Sequence, residues 1–445
     1  MKGLQLRSLC GVVLCVSIAL SVKVANALPS YATQTGMACV QCHVTASGSG
    51  LTKEGREFKL DAYADGDKFS IPLSATALAS LSHINAQDDS TSANTYRINR
   101  KRGIDQGSIY VAGRIVKHLG ILAQAVYEDF DHKVHLGDFD LRYGRQVLLH
   151  GTSIEWGASL NNNPTVQDLW DSTPAHHEPY VQPHWAPKPV ALPVIEGDLT
   201  YRVLGVSAHA LFDKHYFVEL GDYRKLSRDV LKKSGNYSAT QTAIGGSIPY
   251  WRGAVQFNAG RHYFSGGVFG LRATFRPDKS YYEADVYIDD GVDLNYQFID
   301  KDDNALSVSA MWLRERRNLT ASSLAGISDS DTNKLITRRL NVTYAYYRTL
   351  NLSATWFDVR GNPNALLYPS SMSANHSPAT RGYIAQVEYA PFGQRDSLAH
   401  PWLNFSAGLE QIAYQQFAGA KINYDGAGRD AANNDTTVLY VKAAF

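Results

Sequence analysis

Ser108-Ile109-Tyr110-Val111-Ala112-Gly113-Arg114-Ile115-Val116 reads as a strand with two unlike faces. One parity carries Ile109, Val111 and Ile115; the other carries Ser108, Ala112, Arg114 and Val116. Successive side chains of a strand point to opposite sides, so one face is apolar and the other mixed. Leu340-Asn341-Val342-Thr343-Tyr344-Ala345-Tyr346-Tyr347 repeats the pattern, with Val342, Tyr344 and Tyr346 against Asn341, Thr343 and Ala345. A strand between hydrocarbon and a wet lumen has this composition.

Such runs, about 10–15 residues long, recur along the chain. No later segment supplies the ~20 consecutive apolar residues of a membrane-crossing helix. The connections alternate in length. Tight turns are expected near 117–120, 146–150, 203–205, 250–253, 300–304, 347–351 and 391–400. Longer polar segments are expected near 87–104, 130–135, 161–190, 222–238, 264–280, 317–334, 361–380 and 415–435. These connections join about sixteen strands, an even number that leaves both ends of the barrel segment on the short-turn side. Short periplasmic turns and longer external loops are the usual asymmetry of a bacterial outer-membrane barrel. The last strand, Val438 to Phe445, alternates and ends on an aromatic, like the signal read by the barrel-assembly machinery. The 26 Tyr and 7 Trp suit interfacial girdles, and a mean hydropathy of −0.26 is too polar for a helical membrane protein.

The chain opens with a different signal. Lys2 and Arg7 precede an apolar run from Val12 to Val22, and Ala25-Asn26-Ala27 fits a cleavage site. Residues 1–27 therefore read as a signal peptide, and the mature chain is expected to begin at Leu28. Cys15 lies within the apolar run, without the small residues that precede a lipidated cysteine. Loss of Lys2, Arg7 and Lys23 moves the formal charge from +1 to −2, and neither value suggests nucleic acid as a partner.

Cys39-Val40-Gln41-Cys42-His43 follows directly. In CxxCH the two thiols form thioethers to one porphyrin edge, and the adjacent histidine becomes an axial ligand of the iron. A zinc site would need a second ligand pair, and the other cysteines, Cys10 and Cys15, leave with the signal. A thioredoxin-type pair would want a βαβ setting, which is absent. The reading is one covalently attached haem c held by Cys39, Cys42 and His43, with His43 the proximal metal ligand. Export to an oxidising compartment suits that chemistry.

Residues 28–72 then form a small, mostly helical and looped cytochrome domain, and 73–445 the barrel. The fold class is all-β: a transmembrane antiparallel β-barrel of about sixteen strands with an N-terminal haem-binding plug. About 45 residues rarely bury enough surface to stand alone, so covalent haem and a surrounding barrel wall would both serve as staples. The sixth ligand stays open. The mature chain offers Met37, Met311 and Met372, and Met37 is too close to Cys39 to reach the opposite face easily. No histidine falls between His43 and His83, which makes His83 the nearest candidate distal ligand in sequence; a water-bound or open iron is the alternative. Thr52 is a candidate N-cap for a short helix through Leu60. Phe58 and Leu60 are candidates to pack on the porphyrin, and Lys53, Arg56 or Lys59 to pair with propionates, with plain solvation the competing account.

Other clusters are weaker. Asp168, Asp171, His176, His177, Glu178 and His184 lie in the longest external segment, as a metal-binding group, as a loop folded into the lumen, or as a plain polar loop with Pro-rich turns. Asp129-Phe130-Asp131-His132 is a second candidate metal cluster. Asp300 to Asp303 is an acidic stretch on the short-turn side, either attracting a basic carrier or forming a turn. No Ser-His-Asp, P-loop or dinucleotide motif has its required context, so a conventional enzyme is not expected.

Pro29 to His43, followed by Leu51-Thr52 and Gly55-Arg56-Glu57-Phe58-Lys59-Leu60, resembles the fused monohaem cytochrome–porins of the outer membrane found in iron-oxidising bacteria and their relatives. Asp105-Gln106-Gly107-Ser108 with Ala112-Gly113-Arg114-Ile115, Leu119-Gly120 and Gln124 resembles that family's early hairpin, as does Asn161 to Trp170 with Thr173-Pro174. Ala175-His176-His177-Glu178-Pro179 departs from the pattern. The resemblance implies electron uptake from extracellular Fe(II) and delivery to a periplasmic cytochrome or copper protein. Its rivals are electron transfer with a non-iron donor, and a solute porin whose haem is structural or sensory.

Overall fold

The computed structural model describes residues 30–65, 70–85, 103–129, 132–173, 180–181, 183, 185–239, 241–277, 282–400 and 402–445. The signal-peptide and cleavage-site readings lie outside this range, as do His176, His177, Glu178, His184, Phe130 and Asp131.

Alternating faces close the chain on itself. The strands are β1 (Leu73–Ile84), β2 (Gly103–Val116), β3 (Leu119–Glu128), β4 (Lys133–Leu149), β5 (Thr152–Asn161), β6 (Val203–Phe212) and β7 (Tyr216–Lys225). Strand β8 comprises Ala243–Gly245 and Ser247–Ala259, interrupted at Gly246, where φ is +59°; both pieces pair with β9 (His262–Arg276). Then come β10 (Asp285–Ile299), β11 (Ala305–Asn318), β12 (Thr332–Tyr346), β13 (Leu350–Gly361), β14 (Thr380–Tyr389), β15 (Asn404–Gln416) and β16 (Thr436–Ala444). Every neighbour is antiparallel, and β1 pairs with both β2 and β16, so these sixteen strands form a closed barrel without an edge. Phe445 completes the seam by exchanging backbone hydrogen bonds with Ala75 (2.6 and 2.9 Å).

The faces follow the sequence pattern. Ile109 is 59% exposed on the outer face while Ser108 is 3% exposed inside. Val342, Tyr344 and Tyr346 point outward, and Thr343 and Ala345 are buried within. Val116 departs from its expected parity: a bulge between Arg114 and Val116 turns it outward.

The alternation of short and long connections also holds. Two tight turns sit about one strand-length from their expected places, the long segment expected near 264–280 is strand β9 as far as Arg276, and the long segment expected near 130–135 is a short connection between Glu128 and Lys133. Residues 203–205 and 250–253 are strand, and the turns are at 213–215 and 260–261. Gly205 and Gly253 imitate turn punctuation. Gly205 is needed inside a strand because a Cβ there would lie 2.1 Å from the Tyr223 ring, which fills the space instead.

Among the described residues, three short helices precede the barrel: α1 (Ser30–Thr35), α2 (Cys39–Cys42) and α3 (Lys53–Leu60). Thr52 caps α3 as expected, its Oγ1 accepting from the Gly55 amide at 3.3 Å. This segment lies in the lumen at the short-turn end. Backbone-to-wall contact is made possible by glycine. A Cβ on Gly113, Gly120 or Gly144 would each come within 2.1 Å of a carbonyl oxygen, those of Ser70, Ala62 and Leu60. From the other end, the described residues of 162–173 and 185–202 fold inward. Val194, Ile195 and Leu199 pack against Val203, Tyr223 and Ile248 of the wall. Leu169 and Trp170 meet Leu60 of α3 and Tyr263 of β9 in one apolar cluster.

Candidate functional site

The CxxCH stretch turns inward because α2 and α3 pack closely. Gly55 permits it, since a Cβ there would be 2.1 Å from the Cys42 carbonyl. His43 donates its amide to the Cys39 carbonyl (2.8 Å) and forms an isolated bridge with Leu51. The wall then holds this turn from several strands. Arg348, fully buried in the turn after β12, donates to the Val44 carbonyl, with the His43 carbonyl at 3.4 Å. Asn404 Nδ2 donates to the Ala46 carbonyl and lies 4.0 Å from Cys39 Sγ. Lys442 Nζ donates to the Ser47 carbonyl at 3.0 Å.

Cys39, Cys42 and His43 all line one cavity of about 1020 Å³ inside the barrel. That volume lies at the upper end of the range for cofactor pockets. Tyr31, Met37, Leu51 and Phe58 share the lining near the motif. Tyr31 stacks on Tyr63 at 5.0 Å and meets Phe58 edge-on at 5.0 Å, a rigid aromatic wall. The two cysteines are free thiols, not a disulfide. Burial pushes both up to about 11, so they are neutral at ordinary pH. Two free thiols, an imidazole and apolar walls on one cavity fit covalent haem.

The structure sorts the remaining candidates. His83 is exposed on the outer face of β1, opposite in parity to the buried Ser82 and Ile84. It sits five residues along β1 from the cavity-lining Leu78, roughly 17 Å at the rise of a strand. The distal-ligand expectation for His83 therefore does not match this placement. Spacing in sequence had stood in for direction, and strand parity sends the ring outward. Met37 and Met311 line the cavity, and no signal short of the tertiary fold brings Met311 there. Leu60 packs on Leu169 and Trp170 rather than on the cavity. Lys53 pairs with Glu57 at 3.9 Å on the exposed side of α3. Arg56 and Lys59 do line the cavity.

The inward loop is fixed by ions and backbone donors. Arg252 lies 2.6 Å from Asp293 and 3.7 Å from Asp168, all three buried, and its guanidinium sits 4.6 Å from the Trp170 ring centroid. Trp170 donates its indole N–H to the Tyr263 hydroxyl at 2.6 Å. The amides of Val194 and Ile195 donate to Glu315 (2.6 Å) and Asp289 (2.9 Å). Asp168 thus serves a structural pair. His132 pairs with Asp129 at 3.3 Å, and no group of three or more metal-binding side chains occurs among the described residues. Asp300 is a turn former: it accepts from the Asn304 side chain and from the Asp302 and Asn304 amides, which lower its pKa.

No family model and no curated protein matches this sequence. Among solved structures, OprB of Pseudomonas putida superimposes with a TM-score of 0.51 at 9% identity, covering 87% of this chain and 95% of that one. OmpF of Salmonella typhi matches with a TM-score of 0.46 at 11% identity (85% and 98% covered). The channel DcaP of Acinetobacter baumannii gives 0.45 at 11% (86% and 100% covered). The closed sixteen-strand antiparallel barrel is the fold of outer-membrane porins such as OprB.

Proposed function

We infer that this chain is an electron-transfer protein of the outer membrane, a fused cytochrome–porin. One haem c is held by thioethers to Cys39 and Cys42, with His43 as its proximal ligand. The observation that carries the reading is the position of CxxCH on an internal cavity of about 1020 Å³. When bound, the haem supplies one-electron exchange. The residues of the chain supply the setting. Tyr31 and Phe58 present apolar faces, Arg56 and Lys59 bring positive charge toward carboxylates, and Arg348 and Asn404 fix the turn that carries the ligands. Of the two methionines on the cavity, Met311 packs with Val194 and Ile195, away from the Ala305 end of β11 that meets Val44, so Met37 is the nearer candidate for a sixth ligand. Fe(II) outside the cell is the donor, and a periplasmic cytochrome or copper protein at the short-turn end is the acceptor. The barrel-assembly machinery inserts the chain by way of the strand ending at Phe445. An insulating membrane makes such an arrangement useful, because iron oxidised outside leaves its ferric product outside.

Two measurements test this. Cys39→Ser with Cys42→Ser is expected to abolish haem staining on a denaturing gel while the barrel still folds; staining that persists refutes attachment. Anaerobic Fe(II) is expected to reduce the haem-loaded protein, and a spectrum that stays oxidised while a control cytochrome is reduced refutes the iron reading. A solute porin is the second reading, favoured by the size of the cavity, and large single-channel conductance through haem-loaded protein would select it.

A further inference from the structure

The outward face of β9–β14 changes character sharply near the long-loop end. Below the change it is apolar. Leu340, Trp356 and Tyr383 are exposed cross-strand neighbours, and Val292 faces Trp312 on the adjoining pair. These side chains suit hydrocarbon and its aromatic border. Two residues further along each strand, the same face turns basic. Arg314 and Arg316 of β11 share Asp290 of β10 at 3.2 and 2.9 Å. Arg338 of β12 and Arg381 of β14 flank Asp358 of β13 in register, at 3.7 and 2.9 Å. Arg360 adds a third guanidinium at 2.8 Å, leaving Asp358 only 2% exposed.

Arg272 and Arg276 on β9 and Lys334 on β12 extend the band by their outward parity. Among the described residues they form no ion pair. Eight cations thus face outward against two carboxylates, and each carboxylate holds guanidiniums in a fixed array. The band is one-sided. At the same level, the outward residues of β6–β8 include Leu204, Val206, Ser247 and Pro249, with one cation, Arg224, paired to Asp222 at 3.4 Å. On β15 the register partner of Arg381 is Gln416, and the pairing of β16 ends short of that level, at Thr436 opposite Ile412.

A cationic array in direct continuity with a lipid-facing apolar belt has a specific complement: a ligand with acyl chains below and phosphate above. Guanidinium forks match phosphate oxygens in pairs, and ordered arginines lose little freedom on binding. We propose that this face binds the phosphorylated headgroup of a glycolipid in the membrane leaflet at the long-loop end. The site is independent of the haem. It anchors the barrel at a fixed depth and orientation beside its external loops.

The probe is a bisphosphorylated diglucosamine glycolipid added to the folded full-length protein in neutral detergent, with bound lipid counted by native mass spectrometry. The dephosphorylated glycolipid and phosphatidylcholine serve as neutral controls. Wild-type protein is expected to retain the bisphosphorylated lipid at least tenfold better than either control. The triple substitution Arg272→Gln, Arg276→Gln and Lys334→Gln touches no ion pair described here, and is expected to weaken retention on the order of 100-fold. Arg272→Lys and Arg276→Lys, with Lys334 intact, are expected to keep only part of the wild-type retention, because an ammonium carries the charge without the guanidinium fork. Equal retention of phosphorylated and dephosphorylated lipid by the wild type overturns the proposal, and so does equal retention by the variant. Full competition by millimolar inorganic phosphate would reveal a simple anion site and also overturn it. A change in oligomeric state with lipid retention unaltered would assign the face to a second copy of the chain instead.

Discussion

The Arg56 guanidinium of α3 lies 3.5 Å from the centroid of the Tyr263 ring on β9. More than two hundred residues separate them, and the contact joins the CxxCH segment to the barrel wall. Arg56 is buried, burial pulls its pKa down, and Nη1 donates to the Leu51 carbonyl and to Gln297 Oε1. A desolvated cation–π contact is worth about 2 kcal/mol or more. Arg56→Ala is expected to speed amide exchange across 53–60 by roughly 30-fold, the factor that about 2 kcal/mol represents. Unchanged exchange would show that the contact does not hold the segment.

Gly144 is expected to tolerate no side chain. A Cβ would stand 2.1 Å from the Leu60 carbonyl, and neither is a flexible tip that can move aside. Gly144→Ala should push the N-terminal segment off the wall while the closed sheet still forms. Protease cleavage within 30–65 should rise, together with ionic conductance through the lumen. Wild-type conductance in the variant would show that the segment repacks in place.

Arg252 holds the inward loop. Arg252→Met is expected to leave the carboxylates of Asp168 and Asp293 buried without their cation, a cost of about 3–5 kcal/mol. The loop around Trp170 should then release from the wall. Quenching of Trp170 fluorescence by a soluble quencher reads this, with Trp170→Phe as the reference that isolates its signal.

Docking of α3 should depend on pH through Lys59. Its Nζ donates to the Asp168 carbonyl at 2.8 Å. Burial first, and then the Arg142 charge, lower it from 10.5 to about 8. A folded value below the undocked one means that the docked state binds fewer protons between those limits, so docking strengthens as pH rises from about 8 to 10.5. Below 8 both states hold the proton and the dependence is flat. Amide protection in α3, measured from pH 7 to 10, should rise in the wild type and stay level in Lys59→Met.

Much of this architecture is visible in one dimension. CxxCH is compact in sequence, so its ligands are legible before any fold is known. Thr52 marks the start of α3 because capping is local. The turns at 213–215 and 260–261 were misplaced because Gly205 and Gly253 look like turn residues. Only the facing Tyr223 explains the first of them. Met311, Tyr263, Arg348 and Asn404 carried no signal as partners of the N-terminal segment, since nothing in their own neighbourhoods refers to residues 30–65.

The sequence alone determined that the chain forms about sixteen two-faced strands, because side-chain alternation is a property of successive residues and needs no partner, although it misplaced the connections around 203–205 and 250–253. It also supplied the CxxCH motif on which the haem proposal rests. Tertiary structure decided what surrounds that motif: glycines at 113, 120 and 144 that let a backbone lie on the wall, and a loop drawn inward by Asp289, Glu315 and Arg252. It also decided that His83 faces away from the lumen. These outcomes depend on contacts between distant strands, and strand direction, not distance along the chain, selects which side chains can meet.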